Sequence, residues 1–217
     1  MRLLIAFIMT SMVGPAVRGD TGNQALTALK GCLGDLHSVS ANFQQQLYAS
    51  DGYLVQDNSG SMVVAAPGRI RWLVESPMEQ WVISDGSTLW LYDPDLEQVI
   101  IRPFDQNLAE APALLLTGDT EQLGGAFLVD FAVVDGEQSK AEDAKGCHFK
   151  LTPRDEQSLY RELTLSLNEG LPVGITIVDS LEQRTRISFD NAVLNGEVDA
   201  NLFTFEPPPG VDVIHDG

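Results

Sequence analysis

Pro67-Gly68-Arg69-Ile70-Arg71-Trp72, Gln80-Trp81-Val82-Ile83-Ser84-Asp85-Gly86 and Leu89-Trp90-Leu91-Tyr92-Asp93-Pro94 follow one another between Pro67 and Pro103. All three tryptophans of the chain fall in this stretch. The segments read as strands separated by turns, and several are apolar on both faces. A sheet face of that kind has to be covered by protein or by something the protein carries. Two coverings are therefore needed here, one for each face.

The same period-two pattern runs outward from this stretch. From Val39 onward, short strand candidates alternate with turn signals at Asp51-Gly52, Asp85-Gly86, Asp93-Pro94, Asp135-Gly136, Asn168-Glu169-Gly170 and Asn195-Gly196. These residue types accept a left-handed backbone or initiate turns. Leu163, Leu165 and Leu167 alternate with Glu162, Thr164 and Ser166, and Ile187 and Phe189 alternate with Arg184, Arg186 and Ser188. No βαβ alternation is present, so the pattern predicts one large, strongly bent antiparallel sheet.

The N-terminus has a different character. Arg2, an apolar run from Leu3 to Val13 and small residues at Gly14-Pro15-Ala16 read as a secretory signal peptide, residues 1–19, cleaved near 16–19. The run is too short to span a bilayer. Residues 20–217 then suit one domain with one core. Between Gln24 and His37, apolar residues at Ala25, Leu26, Leu29, Leu33 and Leu36 predict an amphipathic helix lying on the sheet, weakened by Gly31 and Gly34.

The net charge is −18, and becomes −20 if cleavage after Gly19 removes Arg2 and Arg18. That balance argues against nucleic acid and against anionic lipid headgroups as partners, both of which call for a basic surface. The two cysteines, Cys32 and Cys147, are allowed a disulfide in an exported protein, and the sequence leaves open whether their Cα atoms come close enough. Leu29-Lys30-Gly31-Cys32 is a poor lipidation site, because it does not follow the signal's apolar run and contains a lysine.

One segment interrupts the strands. Asn107 to Gly124 contains Pro112-Ala113-Leu114-Leu115-Leu116-Thr117-Gly118, in which Pro112 suits the first turn of a short helix and Gly118 its end. Three consecutive leucines on so short a helix cannot all face one core. By itself the pattern favours a helix wedged between two layers over a mobile lid. The C-terminal Phe203-Thr204-Phe205-Glu206-Pro207-Pro208-Pro209 ends a strand and leads into a short acidic tail.

Catalytic residues are sparse. His37, His148 and His215 lie on unrelated segments, and Cys147 and His148, as strand neighbours, point to opposite faces. There is no His-Glu-x-x-His, Cys-x-x-Cys, phosphate-binding glycine loop or Gly-x-Ser-x-Gly elbow, so no metal or cofactor site is expected. A non-enzymatic protein is the favoured reading. An esterase assembled from distant strands is the enzymatic alternative.

Taken in order, several motifs resemble the periplasmic outer-membrane lipoprotein carriers, the LolA family. These are Phe43-Gln44-Gln45, the Pro67-Gly68-x-x-x-Trp72 strand, Ser84-Asp85-Gly86-Ser87-Thr88-Leu89-Trp90-Leu91-Tyr92-Asp93-Pro94 continuing to Glu97-Gln98-Val99, and Phe203-Thr204-Phe205-Glu206-Pro207-Pro208 with Gly210-Val211. The resemblance implies an unclosed antiparallel β-barrel, with an N-terminal helix and a helical lid over an apolar cavity. It implies a periplasmic, monomeric chaperone that shields lipoprotein acyl chains. Cargo would come from an inner-membrane lipoprotein-releasing ABC transporter and pass to an outer-membrane receptor.

On that basis the expected cavity and lid residues are Ile70, Trp72, Trp90, Tyr92, Leu114, Leu115 and Leu116. Family members often carry an arginine before the proline of the Pro-Gly strand, where this chain has Ala66. That departure bears on lid gating more than on cargo. The alternative is a carrier or sensor of other lipids on the same fold. Sensing regulators of this kind normally carry a second domain, for which the chain is too short.

Overall fold

Strand-forming sequence dominates the chain, and in the computed structural model it assembles into a twelve-stranded sheet and one small two-stranded sheet. The structure describes residues 19–104, 112–117, 120, 122–134, 137–138 and 146–216. Helix α1 (Gly19–Leu33) is followed by a six-strand meander: β1 (Ser38–Tyr48), β2 (Leu54–Ala65), β3 (Arg69–Ser76), β4 (Gln80–Asp85), β5 (Thr88–Asp93) and β6 (Gln98–Pro103). A 3-10 turn (Pro112–Thr117) and the short α2 (Leu123–Ala126) lead to β7 (Phe127–Phe131) and the small hairpin β8 (Val133–Val134) and β9 (Glu137–Gln138). A second meander comprises β10 (Cys147–Pro153), β11 (Tyr160–Asn168), β12 (Leu171–Asp179) and β13 (Arg184–Leu194). A second 3-10 turn (Ala200–Phe203) and β14 (Asp212–His215) end the chain.

The two meanders join where β1 pairs antiparallel with β13, giving the order β14-β6-β5-β4-β3-β2-β1-β13-β12-β11-β10-β7. The sheet stays open, with β14 and β7 as its edges. It bends where glycines let strands come unusually close. A Cβ on Gly60 would collide with the Leu73 carbonyl, and one on Gly174 would stand 2.8 Å from the Ile187 oxygen. Register shifts beside Gly60 and within β11–β12 strengthen the local twist.

Helix α1 buries Ala25, Leu29 and Leu33, the expected stripe. It stops at Leu33, earlier than the periodicity predicts. The Leu36 N–H turns back to the Leu33 carbonyl, and Gly34 sits where a Cβ would stand 2.9 Å from the Lys30 oxygen. The leucines alternating along β11 are fully buried, as are Phe149 and Leu151 on β10. These side chains form a core with Phe43, Met62, Val64, Leu115 and Leu116. Each fully buried leucine or phenylalanine contributes about 2 kcal/mol of transfer free energy.

The acidic tail departs from its expected loose end. Asp212–His215 pairs in parallel with Gln98–Ile101, and the Asp212 N–H donates to the Glu97 carbonyl at 2.8 Å. An open sheet leaves a row of unpaired backbone groups on β6, and a short β-branched segment, Val213-Ile214, fills it.

Candidate functional site

The bend of the sheet creates a concavity between the two meanders. On one side, Ile70 and Trp72 of β3, Val82 of β4 and Leu89 and Leu91 of β5 form an apolar wall. On the other, Ile175 and Ile177 of β12, Ile187 of β13 and the Leu159–Tyr160 entry to β11 face them. Phe104, next to the end of β6, and Ala113 of the first 3-10 turn also border the space. The cavity volume is about 690 Å³, within the range of small-molecule pockets. Trp72 is held in place by Phe43, on which it stacks at 4.2 Å, and by an edge contact to Phe189 at 6.3 Å.

Few polar groups line the cavity: Gln45, Arg102, Tyr160, Asp179 and Thr185. The Asp179 carboxylate already accepts from the Leu181 and Gln183 N–H groups at 2.8 and 2.9 Å, closing the β12–β13 turn. It is thus engaged in local structure rather than poised for chemistry. Among the described residues, no group of three histidine, cysteine, aspartate or glutamate side chains could hold a metal ion. Apolar side chains make up most of the cavity wall.

Its walls divide the residues expected from the sequence. Ile70 and Trp72 face the cavity. Trp90 and Tyr92 lie on the opposite face of β5, because Leu89 and Leu91 point inward and strand side chains alternate. Trp90 sits in register with Ile83 of β4, and Tyr92 with Trp81. Both faces of β5 are apolar, so composition alone could not identify the inner one. The inward residues missed from sequence, Leu89 and Leu91, are identified once Ile70 and Trp72 are placed. The cross-strand register links Ile70 to Ser84 and Leu89, and Trp72 to Val82 and Leu91. Leu115 and Leu116 are buried in the main core with Phe43, Met62 and Ile70, and Ala113 reaches the cavity. The Leu114 side chain lies outside the described residues.

The convex face of β3–β5 has a different covering. The Arg71 guanidinium donates to the Leu202 carbonyl at 3.2 Å and lies over the Trp81 ring at 5.6 Å. Arg69 lies over Phe203 at 5.1 Å. Phe205 packs against Trp81 and Tyr92 at 6.1 and 5.1 Å, and Phe203 is fully buried. The C-terminal Phe203-Thr204-Phe205 segment thus covers the outer apolar face, while the cavity lies on the inner one. The two arginines lie on this outer face and do not line the cavity.

The family model for outer membrane lipoprotein carrier protein LolA matches residues 35–206. The chain belongs to the LolA family. It is 40% identical over 196 residues to an outer-membrane lipoprotein carrier protein of Chromohalobacter salexigens, covering 90% of this chain and 88% of the relative. It is 35% identical over 217 residues to the protein of that name from Pseudomonas aeruginosa, covering the full length of both. The fold resembles a solved LolA superfamily protein of Nitrosomonas europaea, with a TM-score of 0.50 at 14% identity over 85% of this chain and 98% of that one. A conserved protein of Thermus thermophilus shares it at a TM-score of 0.51 and 13% identity, over 89% and 98% of the two chains. LolA-family proteins are carriers and not enzymes. Among the described residues, no helix is long and apolar enough to cross a membrane.

Proposed function

We propose that this LolA-family chain is a periplasmic carrier that holds the acyl chains of lipoproteins in the cavity between its two meanders. The observation that carries the reading is the apolar wall formed by Ile70, Trp72, Leu89, Leu91, Ile175 and Ile177. Membership of a family whose relatives are named lipoprotein carriers supports it. In the full cycle, the chain acts as a monomer. It receives lipoproteins released by an inner-membrane ABC transporter and gives them to an outer-membrane receptor. The signal-like N-terminus supports export.

Magnitudes set what such a cavity has to do. Each buried CH₂ contributes about 0.8 kcal/mol, so an acyl chain of about 15 such groups gains on the order of 12 kcal/mol. A carrier that also releases its cargo cannot realise all of this in a rigid, complementary pocket. Leu115 and Leu116, buried in the core that Ile70 shares with the cavity wall, are the groups that offset part of it. Apolar groups that fill the concavity when no cargo is present have to yield when acyl chains enter, which raises the free energy of the loaded state. The ligand then selects the open arrangement in proportion to its preference for it.

A release assay tests this reading. Spheroplasts bearing newly made lipoproteins are incubated with the purified mature chain, and the soluble fraction is examined for a one-to-one complex. A soluble complex supports the carrier. If a folded chain and a competent transporter yield none, the lipid extracted from the chain identifies a carrier or sensor of other lipids.

A further inference from the structure

We infer that Cys32 and Cys147 are joined by a disulfide in the mature protein, pinning the end of helix α1 to the start of strand β10. Cys32 is the penultimate residue of α1, three residues beyond the buried Leu29 and therefore on the flank of the helix that meets the sheet. Cys147 opens β10 and pairs in register with Leu167, a buried residue of β11. Both side chains pack against the same core cluster, and the two thiols are hydrogen-bond partners. The structure holds them as two thiols. They are the only cysteines in the chain, so no other intramolecular pairing competes.

The pairing matters because of what it would join. Helix α1 lies along the β7 edge, where Gly22 approaches the Val129 carbonyl. At this end both cysteines pack against the core, and the helix is weakened by Gly31 and Gly34. The bridge closes a loop of more than 100 residues containing the whole first meander. Loops of that length give the largest reduction in the freedom of the unfolded chain.

Formation requires an oxidant of the disulfide class. One cysteine thiolate attacks a sulfur of the oxidant and expels one thiol. The second thiolate attacks the resulting mixed disulfide and expels the other. Two cysteine thiols are oxidised, one disulfide is reduced to two thiols, and the protons pass to the leaving sulfurs. Burial and the neighbouring Cys147 push the Cys32 thiol up from its ordinary value. The exchange is therefore slow near neutrality and accelerates as pH rises.

The experiment places the purified mature chain in glutathione buffers of graded redox potential at mildly alkaline pH. Samples are quenched with an alkylating agent and weighed by mass spectrometry before and after digestion. The expected species has lost two hydrogens, takes up no alkyl group and yields one cross-linked peptide pair containing residues 32 and 147. Its melting temperature exceeds that of the reduced chain by on the order of 10 °C, and Cys32→Ser or Cys147→Ser abolishes that difference. Two alkylated thiols on a folded chain in oxidising buffer overturn the inference, as do persistent glutathione adducts or covalent dimers. The reduced wild-type chain is the folded reference, so the result does not depend on whether a serine variant folds. Nor does it depend on cargo, so it can fail while the lipoprotein-release assay succeeds, or the reverse.

Discussion

Trp72 of β3 stacks on Phe43 of β1 across the whole width of β2, with ring centroids 4.2 Å apart. The strand between them contributes Gly60, which pairs in register with Phe43. A Cβ there would stand 3.0 Å from the Phe43 ring and collide with the Leu73 carbonyl. One position without a side chain thus permits both the bend of the sheet and the aromatic pair at the base of the cavity. Gly60→Ala is expected to cost at least about 3 kcal/mol, since the nearest obstacle is backbone and cannot rotate away. Urea unfolding of the variant, followed by tryptophan fluorescence, measures this. A loss under about 1 kcal/mol would show that the sheet accommodates the methyl group.

Leu91 and Tyr92 are neighbours on β5 with opposite surroundings. Leu91 faces the cavity, whereas Tyr92 packs on Trp81 and Phe205 under the C-terminal segment. Leu91→Asp places a charge where acyl chain is proposed to bind, and is expected to reduce lipoprotein uptake about tenfold or more. Tyr92→Ala removes packing from the far side and is expected to cost about 2 kcal/mol of stability with uptake unchanged. The release assay, run beside thermal melts of the two variants, separates the effects. Equal loss of uptake in both would contradict the assignment of faces.

Asp85 organises the β4–β5 turn. Its Oδ1 accepts from the Ser87 and Thr88 N–H groups and from the Ser87 hydroxyl, each at 2.8 Å. Burial acts to raise this carboxyl, but the donations from Thr88 and Ser87 outweigh it and hold it below its ordinary value of 3.8. A carboxylate depressed in the folded state adds stability above the unfolded value. That contribution fades as pH falls through the folded one. Asp85→Ala is expected to cost about 1 kcal/mol at neutral pH. It should also flatten the acid limb of the stability curve, recorded as urea midpoints between about pH 2 and 6. An unchanged acid limb would mean that other carboxylates dominate it.

Asn195 ties the α1–β1 connection to the end of β13. Its Oδ1 accepts from the His37 N–H at 2.7 Å and the Ser38 N–H at 3.3 Å, and its Nδ2 donates to the Asp35 carbonyl at 2.8 Å. The residue has φ 54, a left-handed conformation that asparagine tolerates better than most residues. Asn195→Ala is expected to cost about 2–3 kcal/mol, and Asn195→Gly about 1 kcal/mol less, because glycine removes only the backbone penalty. Chemical denaturation of both variants checks the difference. Equal losses would assign the whole effect to the side chain's hydrogen bonds.

Much of this architecture is legible residue by residue. The leucines alternating along β11 and the apolar stripe of α1 announce which sides are buried, because each has one apolar face and period alone fixes its orientation. The left-handed positions at Gly52, Gly86, Gly170 and Asn195 coincide with turn signals for the same local reason. Pro112 opens the first 3-10 turn as its fixed φ predicts, although a 3-10 turn forms where an α-helix would have fitted equally well.

What the sequence by itself determined was strand content, turn positions, the amphipathic helix and the family, all set by local chemistry or by motif order. Only the tertiary structure decided which face of β5 enters the cavity, because a strand apolar on both sides has no orientation until its neighbours supply one. The register from Trp72 through Val82 to Leu91 supplies it on the inside, and the burial of Phe203 and Phe205 supplies it on the outside. The same holds for the tail on β6 and for Cys32 beside Cys147. Both depend on residues about 115 positions apart meeting in space, a separation no local pattern can report.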